Sequence, residues 1–175
     1  MKINVIGTSG SGKSTLARRI ASQLNIPYIE MDLLYWRPNW QGTPKEEFYA
    51  RLTQALSQPD WVLDGNYDRS RDIKWRDVDI VVWVDYGFWH TLRQVTLRAI
   101  ARARSQQELW PETGNRESLR RAFLSRDSII FWMLKTWRRN RQRYGEYMVD
   151  PRYQHLRFVR ISTPQQADEF LATLP

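Results

Sequence analysis

Gly7-Thr8-Ser9-Gly10-Ser11-Gly12-Lys13-Ser14-Thr15 packs three glycines, three serines, two threonines and one lysine into nine residues. Glycines at this spacing let backbone N–H groups turn inward around an anion. In the pattern Gly7-x-x-x-x-Gly12-Lys13-Ser14 those groups cradle a β-phosphate, and Lys13 reaches the β- and γ-phosphates. Ser14 offers its hydroxyl to Mg²⁺. Thr15 stands at a helix start near the α-phosphate, where the helix dipole favours negative charge. The chemistry is that of a phosphate-binding loop holding ATP and Mg²⁺.

Such a loop needs a carboxylate on the metal side and, for transfer, a group at the acceptor. Asp64, in Trp61-Val-Leu-Asp-Gly-Asn-Tyr67, ends an apolar run before a glycine that permits a sharp turn. A carboxylate there holds a Mg²⁺-bound water or polarises an attacking hydroxyl. Asp32 ends Tyr28-Ile-Glu-Met-Asp32 and is read either as acceptor-binding residue and general base or as a capping Asp. Asp85 precedes Tyr86-Gly87 and reads as a helix cap. Tyr35, Trp36 and Trp40 either wall the acceptor pocket or belong to the core. His90 and His155 lack partners at ligand spacing and read as structural.

These residues require strands that end together. Lys2 to Ile6 reads as a buried strand, and Lys13 to Leu24 carries apolar residues at helical period. Further strands fall at Tyr28–Asp32, Trp61–Asp64, Asp79–Asp85 and Arg157–Ile161. Thr43-Pro-Lys-Glu-Glu starts a helix with Thr43 as cap, running to about Ser57. Helices fill roughly 88–104, 116–143 and 164–174, with an acidic, glycine-containing stretch from Gln107 to Asn115 between the first two. Strands alternating with helices predict an α/β domain over residues 1–175, with a five-stranded parallel sheet flanked by helices. Ligands of open α/β sheets bind at the carboxyl ends of the strands.

Composition narrows the class. The 175 residues are 42% apolar and 26% charged, which suits one soluble globular domain. The opening apolar stretch is too short for a secretory signal, and no run is long enough for a membrane span. The expected address is cytoplasmic. With no cysteine, disulfides, iron–sulfur clusters and thiolate zinc sites are excluded. The net charge of +8 is concentrated: residues 93–143 hold 13 basic and 4 acidic side chains. That segment either binds an anion or is a solvated helical face.

GTSGSGKSTLARRIA, Ile29-Glu-Met-Asp32-Leu-Leu-Tyr-Trp36, Trp61-Val-Leu-Asp-Gly-Asn-Tyr67 and the Arg-rich second half together resemble small P-loop kinases of the adenylate and shikimate kinase kind. More closely they look like the bacterial DNA topology modulation (FlaR-type) proteins. Asp64-Gly65 matches the start of the adenylate kinase motif Asp-Gly-Phe-Pro-Arg. Asn66-Tyr67 departs from it, and the arginine that grips the AMP phosphate is missing, which speaks against AMP as acceptor. The resemblance implies an arginine facing the triphosphate, Arg98 or Arg102, and an Arg-rich lid containing Arg120, Arg121, Arg126, Arg138 and Arg139. It also places the adenine at Ser162-Thr163-Pro164, where a helix N-cap is an equally sufficient reading.

Two function classes follow. One is a phosphotransferase that moves the γ-phosphate of Mg-ATP to a small-molecule acceptor. The other is a nucleic-acid-associated ATPase binding through residues 93–143, with Trp110, Phe131, Trp132, Trp137 and Tyr144 as stacking platforms. The sequence favours the first, because these aromatics fall among Ile129, Ile130, Met133 and Leu134 in what reads as buried helix.

Overall fold

The computed structural model describes residues 1–105, 108–116 and 128–175. Its centre is β1 (Lys2–Gly7), five of whose six residues are buried. Continuous apolar runs suit strands covered on both faces, and the neighbours of β1 have that character. These are β5 (Trp61–Asp64) and β6 (Ile80–Val84), buried throughout. The edges are β2 (Tyr28–Glu30) and β7 (Arg157–Ile161), whose mixed patterns fit half-covered positions. The order is β2-β5-β1-β6-β7, and every pairing is parallel.

One face of the sheet is covered by α1 (Lys13–Leu24) and α7 (Pro164–Ala172). They bury Leu16, Ala17, Ile20, Phe170 and Leu171 against Ile3, Val5, Val62, Val82 and Ile161. The other face is covered by α3 (Lys45–Ala55) and α6 (Ile129–Val149). Phe48, Leu52, Tyr144 and Tyr147 meet Ile6, Leu63, Val81 and Trp83 there. A further helix, α5 (Phe88–Ser105), buries a stripe of Thr91, Val95, Ala99 and Ala103.

Several local readings are corrected. The second strand stops at Glu30, and Asp32 lies in the first turn of α2 (Met31–Tyr35). The reason is Met31, whose fully buried side chain packs against Gly65 and turns the chain inward. A two-stranded hairpin, β3 (Trp36–Arg37) with β4 (Gln41–Gly42), follows. Thr43 does not cap α3. Its hydroxyl and N–H both donate to the Tyr35 carbonyl at 2.8 Å, so it closes the hairpin. A short helix, α4 (Arg71–Lys74), went unpredicted in a charged stretch without apolar period. The second long helix, expected over 116–143, is α6 in its described part and starts at the Ser128 cap. Arg120, Arg121 and Arg126 lie outside the described residues.

Candidate functional site

The loop after β1 takes the shape its glycines allow. Gly10 and Gly12 have φ of 83° and 90°, a left-handed region that side-chain-bearing residues avoid. A Cβ on Gly10 would lie 2.6 Å from the Val95 Cβ, so α5 sits directly on the loop. Thr8 and Ser11 are buried, Ser9 and Ser14 are half-buried, and Thr15 is exposed in the first turn of α1.

Asp64 ends β5 as expected and is 2% exposed. Its Oδ1 lies 3.2 Å from the Lys13 Nζ, and its Oδ2 accepts a 2.8 Å hydrogen bond from the Tyr28 hydroxyl. Burial, and then the charges of Asp64 and Glu30, push the Tyr28 phenol far above its ordinary range. It therefore stays a donor. Lys13 and Asp64, singled out separately from the sequence, form one ion pair at the carboxyl edge of the sheet.

The chain beyond Asp64 ties the site together, one residue at a time. The Asn66 side chain accepts from the Gly7 N–H at 2.9 Å and donates to the Gly7 carbonyl at 2.6 Å. Tyr67 donates to the Asp32 Oδ1 at 2.6 Å. Burial, then the Asp32 charge, raise this phenol far above its normal range too. Asp68 accepts from Arg71 at 3.0 Å and from the Tyr147 hydroxyl at 3.0 Å, and pairs with Arg143 at 3.1 Å. Within five residues the turn thus reaches Lys13, the phosphate loop, Asp32 and α6.

Beneath this turn lies Lys74, 2% exposed, with its ammonium donating to the Asn66 carbonyl and, at 3.4 Å, to the Gly65 carbonyl. Burial lowers it to about 7, against a smaller upward pull from Asp68. Asn4, buried in the middle of β1, donates to the carbonyls of Leu63 and Gly65 and accepts from the Trp75 Nε1. Asn66, Lys74 and Asn4 escape sequence reasoning because a polar residue in a short strand or charged stretch has no periodic signature.

Beside Asp32, Tyr35 packs against Tyr67 with ring centroids 4.9 Å apart and edge-on against Trp36. Trp36 stacks on Trp110 at 5.6 Å, and Trp40 meets both edge-on. Asn115 locks this contact: its side chain accepts from the Trp40 N–H at 3.0 Å and donates to the Arg37 carbonyl at 2.9 Å. Residues 108–116 are therefore docked on the β3–β4 hairpin through Trp110 and Asn115.

Among the predicted arginines, Arg98 is half-buried on α5, one turn beyond Gln94, whose buried Oε1 lies 3.8 Å from where a Gly12 Cβ would be. Arg138 and Arg139 are exposed on α6. Two other arginines of α6 make ion pairs: half-buried Arg143 at Asp68, and exposed Arg141, 3.1 Å from Asp85. Asp85 also accepts from the Arg160 Nε at 2.9 Å, so it is an ion-pair centre. Thr163 caps α7, accepting from the Gln166 N–H at 3.2 Å. The buried-helix reading of the aromatics is corrected in part. Trp110 and Tyr144 are buried, whereas Phe131 and Trp132 are 54% and 52% exposed, because the face of α6 that meets the sheet runs through Thr136, Asn140 and Tyr144.

A family model described as ATPase family associated with various cellular activities (AAA) matches residues 3–63. The cytidylate kinase of Rhodopirellula baltica is 30% identical over 83 residues, 42% of this chain and 36% of that protein. The shikimate kinase of Zymomonas mobilis is 58% identical over 31 residues, 18% of each chain. The matched stretches thus span well under half of these relatives. A solved sugar kinase from Janibacter sp. HTCC2649 aligns with a TM-score of 0.55 at 14% identity, covering 98% of this chain and 92% of that one. The fold is the α/β P-loop type, with matches to small-molecule kinases. No helix among the described residues is long and apolar enough to cross a membrane.

Proposed function

We propose that this protein is an ATP-dependent kinase that transfers the γ-phosphoryl group of Mg-ATP to a small molecule seated between Asp32 and the wall of Tyr35, Trp36 and Tyr67. The observation that carries this reading is the turn from Asp64 to Tyr67. It joins the phosphate lysine through the 3.2 Å Lys13–Asp64 pair and the acceptor carboxylate through the Tyr67–Asp32 hydrogen bond. Kinase relatives and a kinase-like fold support the reaction class.

The residues fit ATP and magnesium. The left-handed glycines leave the loop backbone open to phosphate, and Lys13 is held at its edge by Asp64. Ser14 and Asp64 would hold the metal. Among the described residues no group of three His, Cys, Asp or Glu side chains could hold an ion unaided, which suits Mg²⁺, an ion that keeps waters and phosphate oxygens. Magnesium held there would supply positive charge that offsets the charge developing on the transferred phosphoryl group.

Lys13 would turn from Asp64 to the β- and γ-phosphates, and the freed Asp64 carboxylate would help hold the metal. Asp32 takes the proton of the acceptor hydroxyl as its oxygen bonds to phosphorus and the bond to the ADP oxygen breaks. Tyr67 holds Asp32 in the orientation needed for that transfer. Arg98 on α5 and the α6 arginines, Arg138 included, supply charge to the phosphates of the bound nucleotide. The likeness to the topology modulation family belongs to this reading as well. Its two distinctive stretches, Asp32 to Trp36 and Asp64 to Tyr67, are the two that meet through Tyr67.

The test is ATP turnover by purified protein against a panel of nucleosides, nucleotides, sugars and hydroxy acids, with product mass spectrometry. A phosphorylated acceptor is expected. ATP hydrolysis stimulated by DNA, with no phosphorylated small molecule, would replace this reading with the nucleic-acid ATPase.

A further inference from the structure

The turn after β5 also has a supporting part that the phosphotransfer reading does not use. Asn66 makes both possible hydrogen bonds to one peptide group pair, the N–H and C=O of Gly7, the first residue of the phosphate loop. Two bonds of this kind fix a backbone in height and in rotation, as a strand pairing does. Asn66 is itself held from below. The fully buried Lys74 ammonium donates to its carbonyl and to that of Gly65, and Asn4 donates to the Gly65 carbonyl at 3.3 Å. Gly65 tolerates no side chain beside Met31, because a Cβ there would lie 2.7 Å from the Met31 Cβ.

A buried lysine without a carboxylate among its hydrogen-bond partners is costly to the fold, and Lys74 sits among Asp68, Arg71 and Trp75 with only carbonyl oxygens accepting from it. An apolar residue would fill that space without the cost. What the lysine adds is a donor to the one carbonyl that belongs to Asn66.

We infer that Asn66 and Lys74 act as a positioning pair: Lys74 fixes the Asn66 backbone, and Asn66 fixes Gly7, so that the phosphate loop is preorganised before nucleotide binds. Neither residue touches the reacting atoms. The pair deepens the kinase reading, and its effect is on nucleotide affinity ahead of chemistry. A preordered loop loses little freedom on binding, and a loosened one must be ordered by the ligand.

The experiment measures two things in Asn66→Ala, Lys74→Met and the double variant. One is hydrogen exchange of the Gly7 amide by NMR without ligand, and the other is the Kd of a fluorescent ATP analogue with Mg²⁺. Loss of the Asn66 bonds is expected to speed Gly7 exchange and raise Kd about tenfold, the equivalent of one or two ordinary hydrogen bonds. Lys74→Met should raise Kd by less, and the double variant should be no worse than Asn66→Ala alone, since both act through the same bonds. Asn66→Ser serves where Asn66→Ala does not fold. Unchanged Gly7 exchange, or additive effects in the double variant, would overturn the pair. Should the unaltered protein bind no nucleotide, the kinase reading fails, while the exchange arm still decides whether the pair holds Gly7.

Discussion

The phosphate loop and the acceptor side share one edge of the sheet, yet different forces hold them. The loop is fixed by its backbone: left-handed glycines, a close approach of α5 at Gly10, and the two-point grip of Asn66 on Gly7. The acceptor side is fixed by aromatic faces, with Tyr35 against Tyr67, Trp36 against Trp110, and Trp40 edge-on to both. A backbone cradle suits a ligand common to many enzymes, since it reads phosphate and ignores the rest. Aromatic walls read shape and depend on which rings line them. On the proposed kinase reading, cofactor recognition resides in the main chain and acceptor choice in side chains.

The largest expected effect falls on the loop. Lys13→Ala should lower turnover by about 10³–10⁵-fold, the scale of a lost cation at a transferring phosphoryl group. It should also lower the melting temperature without nucleotide, because Asp64 is left buried without its cation. Adding Asp64→Asn should recover part of that stability while turnover stays lost. Recovery of turnover would break the assignment of the loop.

Next is the acceptor carboxylate. Asp32→Asn should reduce transfer by about 10²–10⁴-fold, as for a lost general base, with the Kd of an ATP analogue unchanged. Tyr67→Phe, which removes only the hydrogen bond to Asp32, should reduce kcat by about tenfold. Parallel loss of ATP affinity in both would erase the division between the two sides.

A pH effect separates the fold from the chemistry. Unfolded Lys74 titrates near 10.5, and burial brings it down to about 7 in the folded chain. Between these values the unfolded chain carries a proton that the folded chain lacks, so stability should rise as pH goes from about 7 to about 10. Its slope from this group cannot exceed about 1.4 kcal/mol per pH unit. Above pH 10 the sign reverses, because the fold keeps Tyr28 and Tyr67 protonated. Urea denaturation across pH, compared with Lys74→Met, reads this directly, and an unchanged slope in the variant would assign the effect elsewhere.

The smallest effect concerns the docked stretch. Trp110→Ala should release residues 108–116 from the hairpin, raising the acceptor KM by roughly three- to tenfold, the scale of a lost ring stack, with the ATP Kd unmoved. Limited proteolysis should then cut faster near Asn115. An ATP effect of equal size would mean that the two sides are one unit.

The sequence by itself determined the α/β class, four of the five main strands to within a residue or so, and the phosphate loop. The reason is local: glycine spacing and apolar period are properties of neighbours along the chain. It also marked Asp64 and Asp32, since a carboxylate at the end of an apolar run is visible in one dimension. Only the tertiary structure decided that Asp64 meets Lys13, that Tyr67 holds Asp32, and that Arg143 and Arg141 of α6 pair with Asp68 and Asp85. Those contacts join residues 35 to 75 positions apart along the chain. Asn66 and Lys74 were invisible for the same reason. Their partners are backbone atoms, which every residue has, and so no side-chain pattern announces them.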